Sequence, residues 1–409
     1  MEKVIIVGGG ASGIVCGILA KRINNEVIIL ERNSTCLKKL LLTGNGRCNY
    51  MNENYSIRNY HSRSIDIVDR IISSNNIDMV LNFFKDIGLI YKVKNSCYYP
   101  YSNQAKMVQK ILIDEVIRRG VQIKCNSLVT DIIKKNDTFL VTCGNDILKC
   151  QKLVIATGSF AYPKTGSDGM GYEFLKKFHH TIVDVVPALV PLVSKKSYKE
   201  WDGVRCDVEL KLFEDDVYQK SEEGEVQLTS YGLSGICTFN LSHDVSRGLH
   251  DGKREVIKIN FVPFINTLIT PWMHHYCLKF PTRNLEEILE GFLNYKIIPV
   301  ILKHAKLSKN IYYKDLSNEE KLRLCKALSS FPVEIISTKS YDMSQVCNGG
   351  VLLDEVNYET MESLKEKNLF ITGELLDMNG DCGGYNLTTC WISGILAGKC
   401  IGEYYDQSK

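Results

Sequence analysis

Residues 3–13 read KVIIVGGGASG and residues 26–31 read EVIILE, and these two stretches decide the fold. The first opens with KVIIV, patterned as a short buried strand, and runs directly into Gly8, Gly10 and Gly13. A helical stretch follows from Gly13 to Arg22, and the second apolar run ends in an acid, Glu31. Strand, GxGxxG turn, helix and a strand closing on a carboxylate form a βαβ unit of the dinucleotide-binding kind. Glycine lets the chain turn tightly and approach a pyrophosphate, whose charge then sits on the free N–H groups at the positive end of the helix. Gly8, Gly10, Ala11, Ser12 and Gly13 are the residues this geometry assigns to ligand contact. Glu31 suits both ribose hydroxyls and would repel a 2′-phosphate, so the first nucleotide is expected to be adenosine diphosphate.

Composition bounds the alternatives. With 409 residues, two or three domains are expected, and 44% apolar with 24% charged residues is ordinary for a globular chain. A formal charge of +3 with both signs interspersed gives no basic stripe, which predicts no nucleic-acid partner. The fifteen cysteines contain no CxxC-type pair, so no zinc or iron–sulfur site is expected, and scattered thiols suit a reducing cytosol. The apolar N-terminal run is broken by GGG and ends at Lys21 and Arg22, too short to span a bilayer. The reading is a cytoplasmic protein without a membrane partner or metal.

Apolar residues recur at helical spacing from Ser64 to Gly88, and a further helix is expected over roughly 103–119. Between 121 and 143 the segments VQIKC, LVTDIIK and FLVTC predict a small β-meander. A buried strand at 153–156 then ends in Thr157 and Gly158, ahead of a glycine-punctuated loop and a helix near 171–179. Pro187 and Pro191 mark a crossover, after which alternation between 204 and 264 predicts an antiparallel sheet or barrel. Asn284 with Glu287, and Ser317 with Glu320, fit capping boxes ahead of helices. The last segment returns to an α/β pattern, with a strand at 369–372, a polar loop and a closing helix from about Asn386. Gly383 and Gly384 stand at the start of that helix, which implies a second anion or carbonyl site.

A nicotinamide dinucleotide accounts for the first fingerprint but not for two later strand-to-glycine junctions, ATG at 156–158 and GELLD at 373–377. An extended flavin dinucleotide lying across the carboxyl edge of a parallel sheet would touch all three. Taken together, VGGGASG, KLLLTGNGRCN, VIATGSFAYPKTGSDGMG and GELLDMNGDCGGYNL resemble the flavoprotein family that includes the bile-acid-inducible BaiN-like proteins and the aminoacetone oxidases. The resemblance covers nearly the whole chain. It implies an α/β fold with a Rossmann-type FAD-binding domain and parallel sheet built from both chain ends, 1–192 and 346–409. A β-barrel-like substrate domain (193–265 and 336–345) and a small helical subdomain (266–335) would be inserted between them.

By the same resemblance, the GNGRCN loop looks like the one lying along the flavin and its diphosphate. Gly44 and Gly46 would admit the cofactor, Asn45 and Asn49 would hydrogen-bond it, and Arg47 would neutralise phosphate or a substrate carboxylate. Cys48 is counted among the cofactor-binding residues, in a packing and not a redox role. Glu374 and Asp377 suit ribityl hydroxyls, and the N–H groups around Gly383, Gly384, Tyr385 and Asn386 would face the pyrimidine edge of the ring. Arg32, Lys39, Val129, Ala156, Thr157 and Gly158 complete the expected cofactor contacts. Arg47, Tyr385 and Tyr231 are the catalytic candidates.

The family stretch FTHxGLSGP appears here as LTSYGLSGI at 228–236, so Ser230 stands where relatives carry a His that could handle protons. VCNGGV at 346–351 likewise carries Cys347 and Asn348 where relatives commonly have smaller residues. The leading expectation is an FAD oxidoreductase moving hydride between NADH or NADPH and a small or steroid-like substrate. With no second GxGxxG, the nicotinamide would dock transiently. The rivals are an amine oxidase that delivers electrons to oxygen as peroxide, and a flavin-bearing tRNA-associated or binding protein.

Overall fold

The computed structural model describes residues 2–265 and 267–403. KVIIV lies within β1 (Glu2–Val7), whose last four residues are buried, because a central parallel strand is covered on both faces. Helix α1 (Ala11–Ala20) leads to β2 (Asn25–Leu30), which pairs with β1 in parallel from Glu2 opposite Asn25 to Val7 opposite Leu30. Three more parallel strands, β3 (Gln122–Lys124), β4 (Lys152–Ile155) and β5 (Leu369–Ile371), complete a sheet of order β5-β4-β1-β2-β3. VQIKC therefore leaves the expected meander and joins the parallel sheet beside β2, while 129–135, 138–143 and 146–150 form the antiparallel sheet. The helical pattern from Ser64 to Gly88 is two helices, Ile65–Ile71 and Ser74–Asp86, divided at Ser73, whose ψ of 156° cannot continue a helix.

Helix α2 (Tyr385–Glu403) ties the end of the chain to its beginning. Its glycines at 394, 398 and 402 repeat every fourth residue and so form one ridge. A Cβ at Gly394 would stand 2.5 Å from the Ser12 carbonyl oxygen, and one at Gly398 would stand 2.7 Å from that of Cys16. The backbones of α1 and α2 meet because that ridge has no side chains. All fifteen cysteines are free thiols. No helix among the described residues is long and apolar enough to cross a membrane.

The chain divides into two compact units, residues up to Val186 together with those from Gln345 onward, and Pro187–Ser344. The second unit is a closed barrel of strands 192–194, 232–234, 217–229, 205–214, 255–260 and 331–338, in that order. Within the stretch expected to alternate, Ile236–His250 is instead a helix. It is rich in Thr, Asn and Ser, weak helix formers, and its buried Cys237, Leu241 and Val245 at fourth-residue spacing carry it. Both capping boxes form, at Asn284–Glu287 and Ser317–Glu320. The strand that returns to the barrel starts at Phe331, ahead of the expected 336, with Phe331, Val333 and Ile335 turned inward.

Because two backbones touch at Gly398, Gly398→Val is expected to cost about 3 kcal/mol through overpacking. Urea unfolding measures this, and an unchanged midpoint would contradict the contact.

Candidate cofactor-binding site

The three glycines of the first fingerprint divide by what surrounds them. Gly8 has φ +110°, and a Cβ there would stand 2.3 Å from the Ala156 carbonyl oxygen at the end of β4. Gly13 would place a Cβ 2.1 Å from the Gly8 carbonyl oxygen. Both are fixed by protein against protein. Gly10 is different: its φ is −78°, and a Cβ would meet only the Ala156 oxygen, at 4.0 Å. It is the N-cap of α1, with no side-chain cap and no acid in the first turn, so the helix's own residues supply no negative group to its positive end. Open space over an uncapped helix start is what a diphosphate needs.

Glu31 is 7% exposed at the end of β2. Its Oε2 accepts from the Gly9 N–H at 2.9 Å, and its Oε1 accepts from the Asn33 N–H at 2.8 Å and Nδ2 at 2.7 Å. A carboxylate offers about four acceptor positions, so room remains for a hydroxyl, though not for the whole ribose diol alone. Arg32 pairs with Asp168 and donates to the Gly166 carbonyl at 3.3 Å, so it is not a free cation. The Ser127 N–H donates to the Glu31 carbonyl at 2.8 Å, which brings the buried Val129 to the same end of the sheet. Thr157, at the end of β4, has a buried Oγ1 without a hydrogen-bond partner, and Gly158 turns with φ +76°.

In the GNGRCN loop, Gly44 and Asn45 are both left-handed, with φ of 56° and 54°, and Gly46 and Cys48 follow at 80° and 60°. The kink is held by Arg47 N–H to the Gly44 carbonyl (3.2 Å) and Cys48 N–H to the Thr43 carbonyl (3.0 Å). Cys48 is fully buried, and burial pushes its thiol up to about 12 against a hydrogen bond with Thr43. It packs as a neutral thiol and offers no thiolate. Arg47 is exposed, with its guanidinium 5.3 Å from the Tyr99 ring centroid. Asn49 keeps a buried Oδ1 without a hydrogen-bond partner, 2.8 Å from where a Cβ on Gly384 would be. GNGRCN thus lies against CGGYNL.

Several residues expected at the cofactor are engaged by protein instead. Glu374 accepts from Lys39 Nζ at 2.7 and 2.6 Å through both oxygens and from Ser159 Oγ at 3.1 Å, so the two charges neutralise each other. Buried Cys347 sits beside Ser159, its thiol pushed up to about 11 by burial. Asp377 accepts from the Arg63 N–H at 2.9 Å. Asn386 closes its own loop, accepting from the Gly380 N–H at 2.8 Å and donating to the Gly380 carbonyl at 2.6 Å. Tyr385 is buried, donates to the Asn54 carbonyl at 3.1 Å, and is pushed up to about 12 by burial and then by Asp381 and Cys97. Such a phenol positions backbone and is a poor acid near neutrality.

Tyr231 belongs to the barrel unit, its ring 3.9 Å from Lys339 Nζ. Ser230 serves there through its backbone, the N–H donating to Asp202 Oδ1 at 2.6 Å and the carbonyl accepting from Ser197 Oγ at 2.9 Å. No motif marks Asn33, Ser159 or Asn52, which donates to the Gly383 carbonyl at 2.9 Å. A polar residue two positions past Glu31 is the one local hint.

The Lys39–Glu374 pair joins segments far apart in sequence and is largely enclosed, with side chains 25% and 18% exposed. Lys39→Met alone is expected to cost about 1–2 kcal/mol by stranding the carboxylate, with part of that recovered in the Lys39→Met, Glu374→Gln double variant. Additive losses in a double-mutant cycle would show that the two residues act separately.

The chain matches the HI0933-like protein Rossmann domain family over residues 2–400. It is 34% identical over 407 residues to the 3-dehydro-bile acid delta(4,6)-reductase of Clostridium scindens, covering 98% of this chain and 100% of that protein. It is 24% identical over 393 residues to the ribosomal RNA dihydrouridine synthase of Escherichia coli, covering 95% of each. Among solved structures, the 3-ketosteroid delta1-dehydrogenase of Sterolibacterium denitrificans superposes with a TM-score of 0.50 at 10% identity, over 99% of this chain and 100% of that one. With the family match spanning almost its full length, the chain belongs to the HI0933-like Rossmann flavoprotein family and is an oxidoreductase flavoprotein built on an FAD-binding α/β domain.

Proposed function

We propose that this protein is an FAD-dependent reductase that takes hydride from NADH or NADPH and adds it to a conjugated carbon–carbon double bond of a small, steroid-like ketone. The observation that carries the reading is the uncapped start of α1 with open space over Gly10. The bile-acid reductase, similar along its whole length, supports the substrate class.

The residues present fit the cofactor. The N–H groups from Gly10 to Gly13 would receive the diphosphate and Glu31 a ribose hydroxyl. The orphaned Oδ1 of Asn49 and Oγ1 of Thr157 are polar atoms awaiting a partner, as expected where a ligand belongs. Bound there, FAD supplies hydride transfer. The N–H groups around Gly384, whose missing Cβ lets the Met51 backbone pack against it, would stabilise negative charge at the ring's pyrimidine edge. Arg47, exposed and without a carboxylate partner among the described residues, is a cation available to an acidic group on the substrate. The Asn54 carbonyl holds the Tyr385 hydroxyl away from proton transfer.

A second reading, reduction of a pyrimidine ring within RNA, is the same class of chemistry: hydride and proton added across a conjugated double bond. The ribosomal RNA dihydrouridine synthase supports it. So does the charge of residues 38–110, which hold eleven Lys and Arg against five Asp and Glu.

Gly10→Val is expected to fold normally yet lose its flavin, because the new side chain enters only ligand space. Gly8→Val is expected to misfold, because its Cβ meets the Ala156 carbonyl. Flavin absorbance and thermal unfolding on both variants check this, and a yellow, fully loaded Gly10→Val protein would contradict the placement. For the reaction, anaerobic NADH or NADPH should bleach the flavin rapidly, and a conjugated 3-oxo steroid should restore its colour. Reduction by a primary amine with rapid reoxidation by air would instead establish the oxidase.

A further inference from the structure

Residues 51–52, 91–94 and 97–100 form a three-stranded antiparallel sheet with 97–100 in the middle. Side chains alternate across it, and the two faces differ in kind. One face carries Tyr98 and Tyr91, whose rings pack at 5.1 Å, with Tyr98 6.2 Å from the fully buried Tyr50. On that face Tyr98 packs against the core, while Tyr91 and Val93 on the edge strand are 41% and 40% exposed.

The other face carries cations and aromatic rings in alternation. The Arg47 guanidinium lies 5.3 Å from the Tyr99 centroid, Lys92 stands directly opposite Tyr99 in register, and Lys92 Nζ lies 5.5 Å from the Tyr101 centroid. Lys94 follows Lys92 on the same face. Tyr101 is 68% exposed, and Arg47 and Lys94 are exposed as well. Arg47, Lys92 and Lys94 form no ion pair among the described residues. The carboxylates that act on this sheet, Glu53 and Asp78, act on Tyr98, on the opposite face; Tyr99 is affected by its own burial, then by Cys97 and by Arg47, with no carboxylate among its influences. One end of the row leads to the proposed cofactor site. Asn52 Nδ2 donates to the Gly383 carbonyl at 2.9 Å, Cys97 Sγ stands 3.7 Å from the same oxygen, and a Cβ on Gly44 would lie 3.6 Å from Tyr99.

We propose that this face is a docking surface for single-stranded RNA, with bases stacking on Tyr99 and Tyr101 and phosphates meeting Arg47, Lys92 and Lys94. It rests on the second reading above and deepens it by naming where the strand lies. An open sheet face suits an extended strand, whereas a small ligand requires a concave site. The charge pattern agrees: the surplus of six positive charges within 38–110 means the rest of the chain sums to −3, although the whole chain is +3. Whole-chain charge therefore gives no sign of this surface, and the proposal departs from the expectation of no nucleic-acid partner drawn from it.

The test needs no turnover, so it stands apart from the redox chemistry. Fluorescence anisotropy of a fluorescein-labelled oligouridylate of about 12 nucleotides is followed over a salt series with the flavin oxidised. Saturable binding is expected, weakening with salt. Lys92→Ala with Lys94→Ala should shallow the log K against log salt slope by about 1.4, two phosphate contacts at roughly 0.7 each. Tyr101→Ala should weaken binding about tenfold at unchanged slope. Circular dichroism and flavin content confirm that these surface variants fold. Absence of saturable binding at low salt overturns the proposal, as do variants that bind like the parent. Binding of phosphatidylserine vesicles with the same variant dependence, and no RNA binding, would assign the face to a membrane and overturn it equally.

Discussion

The first unit depends on backbone meeting backbone where a side chain would stand. At Gly8 the chain leaves β1 and passes so near the end of β4 that a Cβ would come within 2.3 Å of the Ala156 carbonyl oxygen. At Gly394 and Gly398 the last helix lies on the first in the same way. These approaches bring residues from opposite chain ends into one layer, and the start of α1 is left bare at their meeting point. The uncapped N–H groups there have a positive field and no side-chain cap, an arrangement suited to an anionic ligand.

Around that point the other segments are locked by partners far away in sequence. Lys39 meets Glu374, Asn52 meets the Gly383 carbonyl, and Tyr385 reaches the Asn54 carbonyl. Polar side chains that motifs alone would give to the cofactor are in this way largely the struts of the cradle. Among the buried polar atoms left without a hydrogen-bond partner are Asn49 Oδ1 and Thr157 Oγ1.

The βαβ unit is legible in the sequence because each of its parts has a local signature: a four-residue apolar strand end, glycines, and an acid closing β2. Both capping boxes are legible for the same reason. The helix Ile236–His250 is not, since its residues are weak helix formers and its stability comes from burial within the barrel unit. VQIKC reads as part of a meander because a three-residue strand in a parallel sheet has no alternation of its own to distinguish it. At the site, the glycines can be named from spacing. Which of them are packed by protein and which are left open, and that Glu374 and Asn386 are already engaged by protein, depends on long-range pairing that no local window contains. The basic, aromatic sheet face is hidden when charge is averaged over the whole chain.

The central claim is that separated segments converge on one FAD. Hydrogen–deuterium exchange of the flavin-loaded protein against the same protein stripped of flavin tests it most directly. Convergence predicts that amides at 10–13, 44–49, 157–158 and 383–386 lose protection together on stripping, while the barrel strands 205–214 and 217–229 stay unchanged. Loss confined to 10–13, with the later segments indifferent to the flavin, would contradict it.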